Sequence, residues 1–209
     1  MVKMAEKIGI MGGTFDPVHI GHMVMASFAA DEFCLDKVVF IPNGNPPHKR
    51  AFGDKMYRFD MTRLAVSDDE RFSVSDFEIS KESYSYAVDT VSHFAENGDK
   101  IYFIIGADSF YDLTTWHDFK NLVKKCAFIA FDRKSSGEKN IKHENIVSDI
   151  ESFNKKYGAE IYYAKMPYID VSSTLIRRRV SEGKSIKYLT CESVEKYIYQ
   201  HNLYSEKEE

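Results

Sequence analysis

"GGTFDPVHIGH", from Gly12 to His22, lies between the apolar run "KIGIM" (Lys7–Met11) and "MVMASFAADEF" (Met23–Phe33), which reads as a helix. A buried strand, a glycine turn and a helix are the opening of a βαβ unit. A turn alone would not call for histidine beside glycine. Glycine lets a backbone approach a ligand without a Cβ in the way, and imidazoles donate protons or hydrogen bonds.

Outward from this stretch, the alternation continues. Strand-like runs recur at "KVVFIPN" (37–43), "RFSVSDFEI" (71–79), "KIYFIIGAD" (100–108), "CAFIAFDR" (126–133) and "AEIYYAKM" (159–166). Amphipathic stretches separate them: "MYRFDMTRLAVSDD" (56–69), "SYAVDTVSHFAEN" (85–97) and "FKNLVKKC" (119–126), where Phe119, Leu122 and Val123 share a face. "KIYFIIG" and "CAFIAF" are nearly continuous apolar runs, as strands covered on both sides require. The pattern predicts an α/β fold: a doubly wound, mostly parallel sheet in a three-layer sandwich. "KSSGEKNIKHEN" (134–145) reads as an exposed loop before the helix "IVSDIESFNKKYG" (146–158), and the tail "SEKEE" (205–209) as frayed. Two helices, "SSTLIRRRVSEG" (172–183) and "CESVEKYIYQHNLY" (191–204), close the chain. No internal repeat or clean boundary is visible, so residues 1–209 are expected to form a single domain, with 170–204 as its C-terminal helical part.

The 209 residues are 44% apolar and 29% charged, the balance of an ordinary globular chain with room for a real core. A net charge of −4 excludes a general polyanion binder, so no nucleic-acid partner is expected and positive charge for a phosphate must be gathered locally. Cys34, Cys126 and Cys191 are odd in number and lack CxxC spacing, which argues against a disulfide framework or a structural zinc. There is no apolar run of membrane-spanning length and no room for a signal peptide. These features together predict a cytoplasmic protein with no membrane partner.

In a doubly wound sheet, ligands bind at the carboxyl ends of the strands where the strand order reverses. The histidine stretch leaves such an end and leads into the positive end of a helix, which suits an anion. His19 and His22 are three apart and share a face if the helix has begun. Capping or packing histidines, and a zinc shared with Asp16, are the other readings of the same residues. In "VSSTLIRRR" (Val171–Arg179), Ser172 or Ser173 reads as a helix N-cap, with Arg177 one turn on as the natural cation. Successive helical residues point about 100° apart, which sends Arg178 and Arg179 to a solvated face. "PNGNPPHKR" (Pro42–Arg50) is a stiff basic loop after the second strand. Trp116, the only tryptophan, is either a packing residue or a platform for a flat ring.

Taken together, "GGTFDPVHIGH", "IPNGNPPHK", "SYAVDT", "IIGADS", "TW" and "VSSTLIR" resemble, in order and over nearly the whole chain, the bacterial nicotinate-nucleotide adenylyltransferases of the HxGH nucleotidyltransferase superfamily. The resemblance implies a Rossmann-like domain that joins nicotinate mononucleotide to ATP, giving nicotinate adenine dinucleotide and pyrophosphate. It implies that His19, His22, Lys49 and Arg177 are catalytic. ATP would be held by Gly12, Gly13, Thr14, Phe15, Gly106, Asp108, Arg133, Ser172, Ser173 and Thr174. Nicotinate mononucleotide would be held by Asp16, Asn43, Lys49, Tyr86, Ala87, Trp116 and His117. No protein metal ligand is implied, and Mg²⁺ would be delivered with ATP. The chain departs from the family's "SYT" at Ala87, which lacks the usual hydroxyl and leaves a backbone N–H as the donor. A phosphopantetheine adenylyltransferase, the nearest rival, would leave Trp116 and "PPHK" unexplained. A non-catalytic nucleotide sensor would have no need of His19, His22 and Arg177. Oligomeric state is not readable from the sequence.

Overall fold

Lys7–Gly13 forms strand β1 and Ile20–Phe33 helix α1 in the computed structural model of the chain, which describes residues 5–44, 52–132 and 145–205. The chain continues through β2 (Lys37–Pro42), α2 (Lys55–Val66), β3 (Phe72–Val74), α3 (Ala87–Phe94) and β4 (Lys100–Gly106). Then come α4 (Ala107–Asp112), a 3₁₀ turn (Leu113–Thr115), α5 (Phe119–Lys125), β5 (Ala127–Phe131), α6 (Ile146–Tyr157), β6 (Ile161–Ala164), α7 (Ser173–Ser181) and α8 (Glu192–Gln200). The sheet order is β3-β2-β1-β4-β5-β6, with β1, β4, β5 and β6 paired in parallel. This is the Rossmann-like doubly wound order predicted from the alternation. Its reversal falls between β1 and β4, whose carboxyl ends are Gly13 and Gly106.

Two compact units interleave along the chain. The first holds Met1–Gly12, Met25–Val39 and Tyr86–Tyr168. Its parallel register sets Ile10 beside Phe103, Phe103 beside Phe128 and Phe128 beside Ile161. All five residues of β5 are buried, as the continuous apolar run requires of a strand covered on both faces. Helix α6 is tied to β6 by Asn154, whose side chain both donates to and accepts from the backbone of Ile161. Tyr111 donates to Asp149 at 2.7 Å and joins α4 to α6.

The second unit holds Gly13–Val24, Phe40–Ser85 and Ile169–Glu209. Phe40 packs against both Phe15 and Phe72 at 5.7 Å between ring centres. Helices α2 and α8 are joined by Tyr197 donating to Asp60 (3.0 Å) and Ser193 donating to the Leu64 carbonyl (3.2 Å).

Two local expectations are corrected. The strand predicted over 71–79 is only Phe72–Val74, because the chain then turns, with the Ser80 amide donating to the Asp76 carbonyl. Helix α4 and the 3₁₀ turn were not anticipated, since six and three residues are too few to display a helical period. The loop 45–51, residues 133–144 and the tail 206–209 lie outside the described residues.

Candidate active site

In the second unit, the loop that follows β1 is tightly determined. Phe15 has φ of +49°, unusual for a bulky residue, yet is only 2% exposed. Its ring meets His22 edge-on at 5.0 Å and leans on Phe40, so packing offsets a backbone strain of about 1–3 kcal/mol. A Cβ at Gly13 would sit 3.0 Å from the Phe15 ring, a tight contact that the packed ring would have to relieve by shifting.

His19 and His22 lie together as expected, with rings stacked 3.7 Å apart. Helix α1 starts at Ile20, so His19 flanks it and the His19 amide donates to His22 Nδ1 at 3.2 Å. An Nδ1 that accepts must carry its lone pair there. The neutral ring therefore holds its proton on Nε2, where it is a donor. His19 is buried and His22 half-buried.

Successive carbonyls of this loop are gripped from the C-terminal part of the chain. Arg177 donates to the Asp16 carbonyl (2.8 Å), Ser173 to Pro17 (2.9 Å) and Thr190 to Val18 (2.8 Å). The Ile20 amide donates in turn to Leu189 at 3.1 Å. Arg177 also reaches Thr174 Oγ1 at 3.4 Å and lies 4.2 Å from the Phe52 ring centre. Ser172 is the N-cap of α7, accepting from the Leu175 amide at 3.1 Å. Each of the hydroxyls expected at a phosphate thus has a protein partner here: the Leu175 amide for Ser172, the Pro17 carbonyl for Ser173 and Arg177 for Thr174. Arg178 is exposed, but Arg179 is half-buried and donates to the Ser185 carbonyl at 2.8 Å, which a purely solvated face did not predict.

Asp16, expected to face a nucleotide, is 3% exposed and takes internal partners instead. Its carboxylate accepts from Tyr204 Oη (2.6 Å), Phe52 N (2.7 Å) and Gly53 N (3.1 Å). Arg58 stands beside it, 1% exposed, donating to the Gly53 carbonyl at 3.2 Å and the Thr14 carbonyl at 2.8 Å. Burial pulls the Arg58 guanidinium below its usual value, and the charge of Asp16 opposes this. For Tyr204, burial and then Asp16 push the phenol up, keeping it a donor. The sequence reading missed both residues. A signal existed for Arg58, since it shares the buried face of α2 with Met61, Thr62 and Ala65 at helical spacing.

Ring chemistry gathers in the first unit. Trp116 is half-buried and braced edge-on by Phe103 at 5.7 Å. Tyr86 and His117 stack at 4.1 Å. Ala87 opens α3, whose cap residue Tyr86 offers no side-chain hydrogen bond, so the first amides of the helix are not served by a capping side chain. Gly106 caps α4, with Asp108 exposed in its first turn. In the second unit, the Asn43 amide donates to the Gly13 carbonyl at 2.9 Å, and its side-chain Oδ1 is buried without a hydrogen-bond partner among the described residues. Lys49 and Arg133 lie outside the described residues. Among the described residues no group of three or more His, Cys, Asp or Glu is placed to hold a metal ion, and no helix is long and apolar enough to cross a membrane.

Residues 10–179 match the cytidylyltransferase-like family model. A protein from a Thermoanaerobacter species, named "Probable nicotinate-nucleotide adenylyltransferase", is 44% identical over 208 residues, covering 97% of this chain and 96% of the relative. One of the same name from Moorella thermoacetica is 42% identical over 209 residues, covering 98% and 94%. The solved Plasmodium falciparum nicotinic acid mononucleotide adenylyltransferase complexed with APC shares the fold, with a TM-score of 0.75 at 20% identity over 97% of this chain and 98% of that one. On the sequence match over nearly its full length, the chain belongs to the cytidylyltransferase-like family and, within it, to the nicotinate-nucleotide adenylyltransferases.

Proposed function

We propose that the chain transfers the adenylyl group of ATP to nicotinate mononucleotide, releasing pyrophosphate, as one cytoplasmic nucleotidyltransferase domain. Full-length likeness to relatives named for that activity is the observation that carries the reading. A phosphate monoester has a second pKa of about 6, so the substrate brings its own nucleophilic oxygen and the protein needs no catalytic base. That oxygen attacks the α-phosphorus of ATP as the bond to the β-phosphate breaks, and the electron pair leaves with pyrophosphate.

The protein's task is then alignment and charge stabilisation. The Nε2–H of His22 suits the α-phosphate oxygens, with His19 stacked against it. Arg177 and the amides at the start of α7 suit the outer phosphates, and Lys49 adds charge. Mg²⁺ brought by ATP would supply charge neutralisation at the phosphates, with no protein side chain assigned as its ligand. Trp116 suits the pyridinium ring and the first amides of α3 its carboxylate, with Gly106, Asp108 and Arg133 assigned to the adenosine. Asn43, with a buried acceptor, remains assigned to the mononucleotide. The cysteines Cys34, Cys126 and Cys191 are free thiols, which supports a reducing compartment.

Incubation of the purified protein with ATP, Mg²⁺ and, separately, nicotinate mononucleotide, nicotinamide mononucleotide or phosphopantetheine tests the reading. The expected result is nicotinate adenine dinucleotide and pyrophosphate in equal amounts from the first mixture. Faster turnover of phosphopantetheine would replace the reading with the rival one, and no product from any acceptor would replace it with a nucleotide sensor.

A further inference from the structure

We propose that Tyr204 is a positioning residue for adenylyl transfer, acting through Asp16 on the loop that carries His19 and His22. The inference deepens the proposed function and rests on it. Asp16 is held at both of its ends: its carboxylate by Tyr204 Oη at 2.6 Å, its carbonyl by Arg177 at 2.8 Å. The next two carbonyls of the loop are held by Ser173 and Thr190, and the histidines follow directly. A shift of Asp16 therefore moves the contacts of Arg177 and the start of the histidine segment together.

Charge explains why a phenol serves here. Asp16 carries one negative charge and has two guanidinium groups near it, Arg58 and Arg177. Arg58 is fully buried and turned toward the Thr14 and Gly53 carbonyls. A neutral hydroxyl, together with the Phe52 and Gly53 amides, satisfies the Asp16 carboxylate without a further cation. The space around Asp16 is committed as well, since a Cβ at Gly53 would lie 2.8 Å from Asp16 Oδ1. Tyr204 itself has φ of +61°, a left-handed conformation rare for a ring-bearing residue.

The test compares the parent, Tyr204→Phe, Asp16→Asn and the double variant in steady-state kinetics, calorimetric ATP binding and thermal unfolding. Tyr204→Phe keeps the ring and removes one hydrogen bond. The expected outcome is a loss of about tenfold in kcat/KM for ATP and a matching loss of ATP affinity, the scale of one buried charge-assisted hydrogen bond. KM for nicotinate mononucleotide is expected to stay within about twofold, because the ring-binding residues are untouched. In the Asp16→Asn background the Tyr204→Phe change should add little, since its partner is already altered. Equal ATP affinity and kinetics in Tyr204→Phe and parent overturn the proposal, as does a fully additive double variant. A variant with lowered melting temperature but unchanged ATP affinity at 25 °C also overturns it, since Tyr204 would then serve stability alone. A parent that binds ATP but makes no dinucleotide refutes the proposed function, and the ATP affinities of the same variants still decide the role of Tyr204.

Discussion

His22 presents its Nε2–H because the His19 amide occupies Nδ1, which makes the two ring nitrogens unequal in what a substitution can replace. Alanine at His19 or His22 is expected to lower kcat by about 10²-fold or more, the scale of removing one preorganised donor, with little change in KM for nicotinate mononucleotide. A glutamine side-chain amide reaches the place of Nε2 and an asparagine that of Nδ1. Steady-state assays should therefore rank His22→Gln above His22→Asn in residual kcat; the opposite order would reassign the working nitrogen. Arg58 shows the other side of residue-scale chemistry, a charge wholly inside the protein. Arg58→Met leaves the Thr14 and Gly53 carbonyls without their donor and Asp16 with one neighbouring cation fewer, a loss of about 3–5 kcal/mol. Urea unfolding at neutral pH measures it, and a change below about 1 kcal/mol would mean that water replaces the guanidinium without cost.

Helix α7 divides its polar residues between folding and the proposed chemistry. Ser172 caps it, and Ser172→Ala should cost about 1 kcal/mol of stability, while Ser173→Ala frees the Pro17 carbonyl and should lower turnover as well. Arg177 and Arg179 sit on different faces: one reaches Asp16, the other Ser185. Arg177→Ala is expected to weaken ATP binding and turnover, and Arg179→Ala to leave both near the parent while lowering stability by about 1 kcal/mol or less. Equal kinetic losses from the two would contradict this division. Helix α3 begins at Ala87, and its first amides carry partial positive charge that suits a carboxylate and meets an NH₂ group unfavourably. A mispaired buried polar group costs roughly 1–3 kcal/mol, so kcat/KM should favour nicotinate over nicotinamide mononucleotide by about ten- to a hundredfold. Ala87→Thr restores a hydroxyl and should keep or sharpen that preference. Equal kcat/KM for the two mononucleotides in the parent would make the enzyme dual-specific.

Across the whole molecule, the three thiols report on different depths of the structure. Cys34 is exposed, Cys191 half-buried and Cys126 buried. Burial pushes the Cys126 thiol well above its ordinary value, so almost no thiolate forms there at neutral pH. A disulfide reagent at pH 8 should modify Cys34 within the mixing time, Cys191 more slowly, and Cys126 only at the rate at which the protein opens. Adding urea should accelerate Cys126 alone in proportion to the unfolding equilibrium. Rapid modification of Cys126 in the native protein would show that the segment between α5 and β5 opens independently.

The alternation of apolar runs and amphipathic stretches determined the doubly wound sheet, because burial on both faces and helical spacing are properties of neighbouring residues. Local signals also narrowed the α7 cap to Ser172 or Ser173, of which the structure selects Ser172, and brought out the histidine pair, whose members are three apart. Only the tertiary structure decided where Asp16, Ser173 and Tyr204 direct their side chains. Arg177, Ser173 and Tyr204 find their partners in the loop across 161, 156 and 188 residues of chain. An aspartate in a glycine-rich turn is compatible in sequence with a ligand, a cap or a buried anchor. Its choice depends on whether a phenol and two backbone amides arrive from elsewhere in the chain, and folding brings them there because a buried carboxylate must be satisfied.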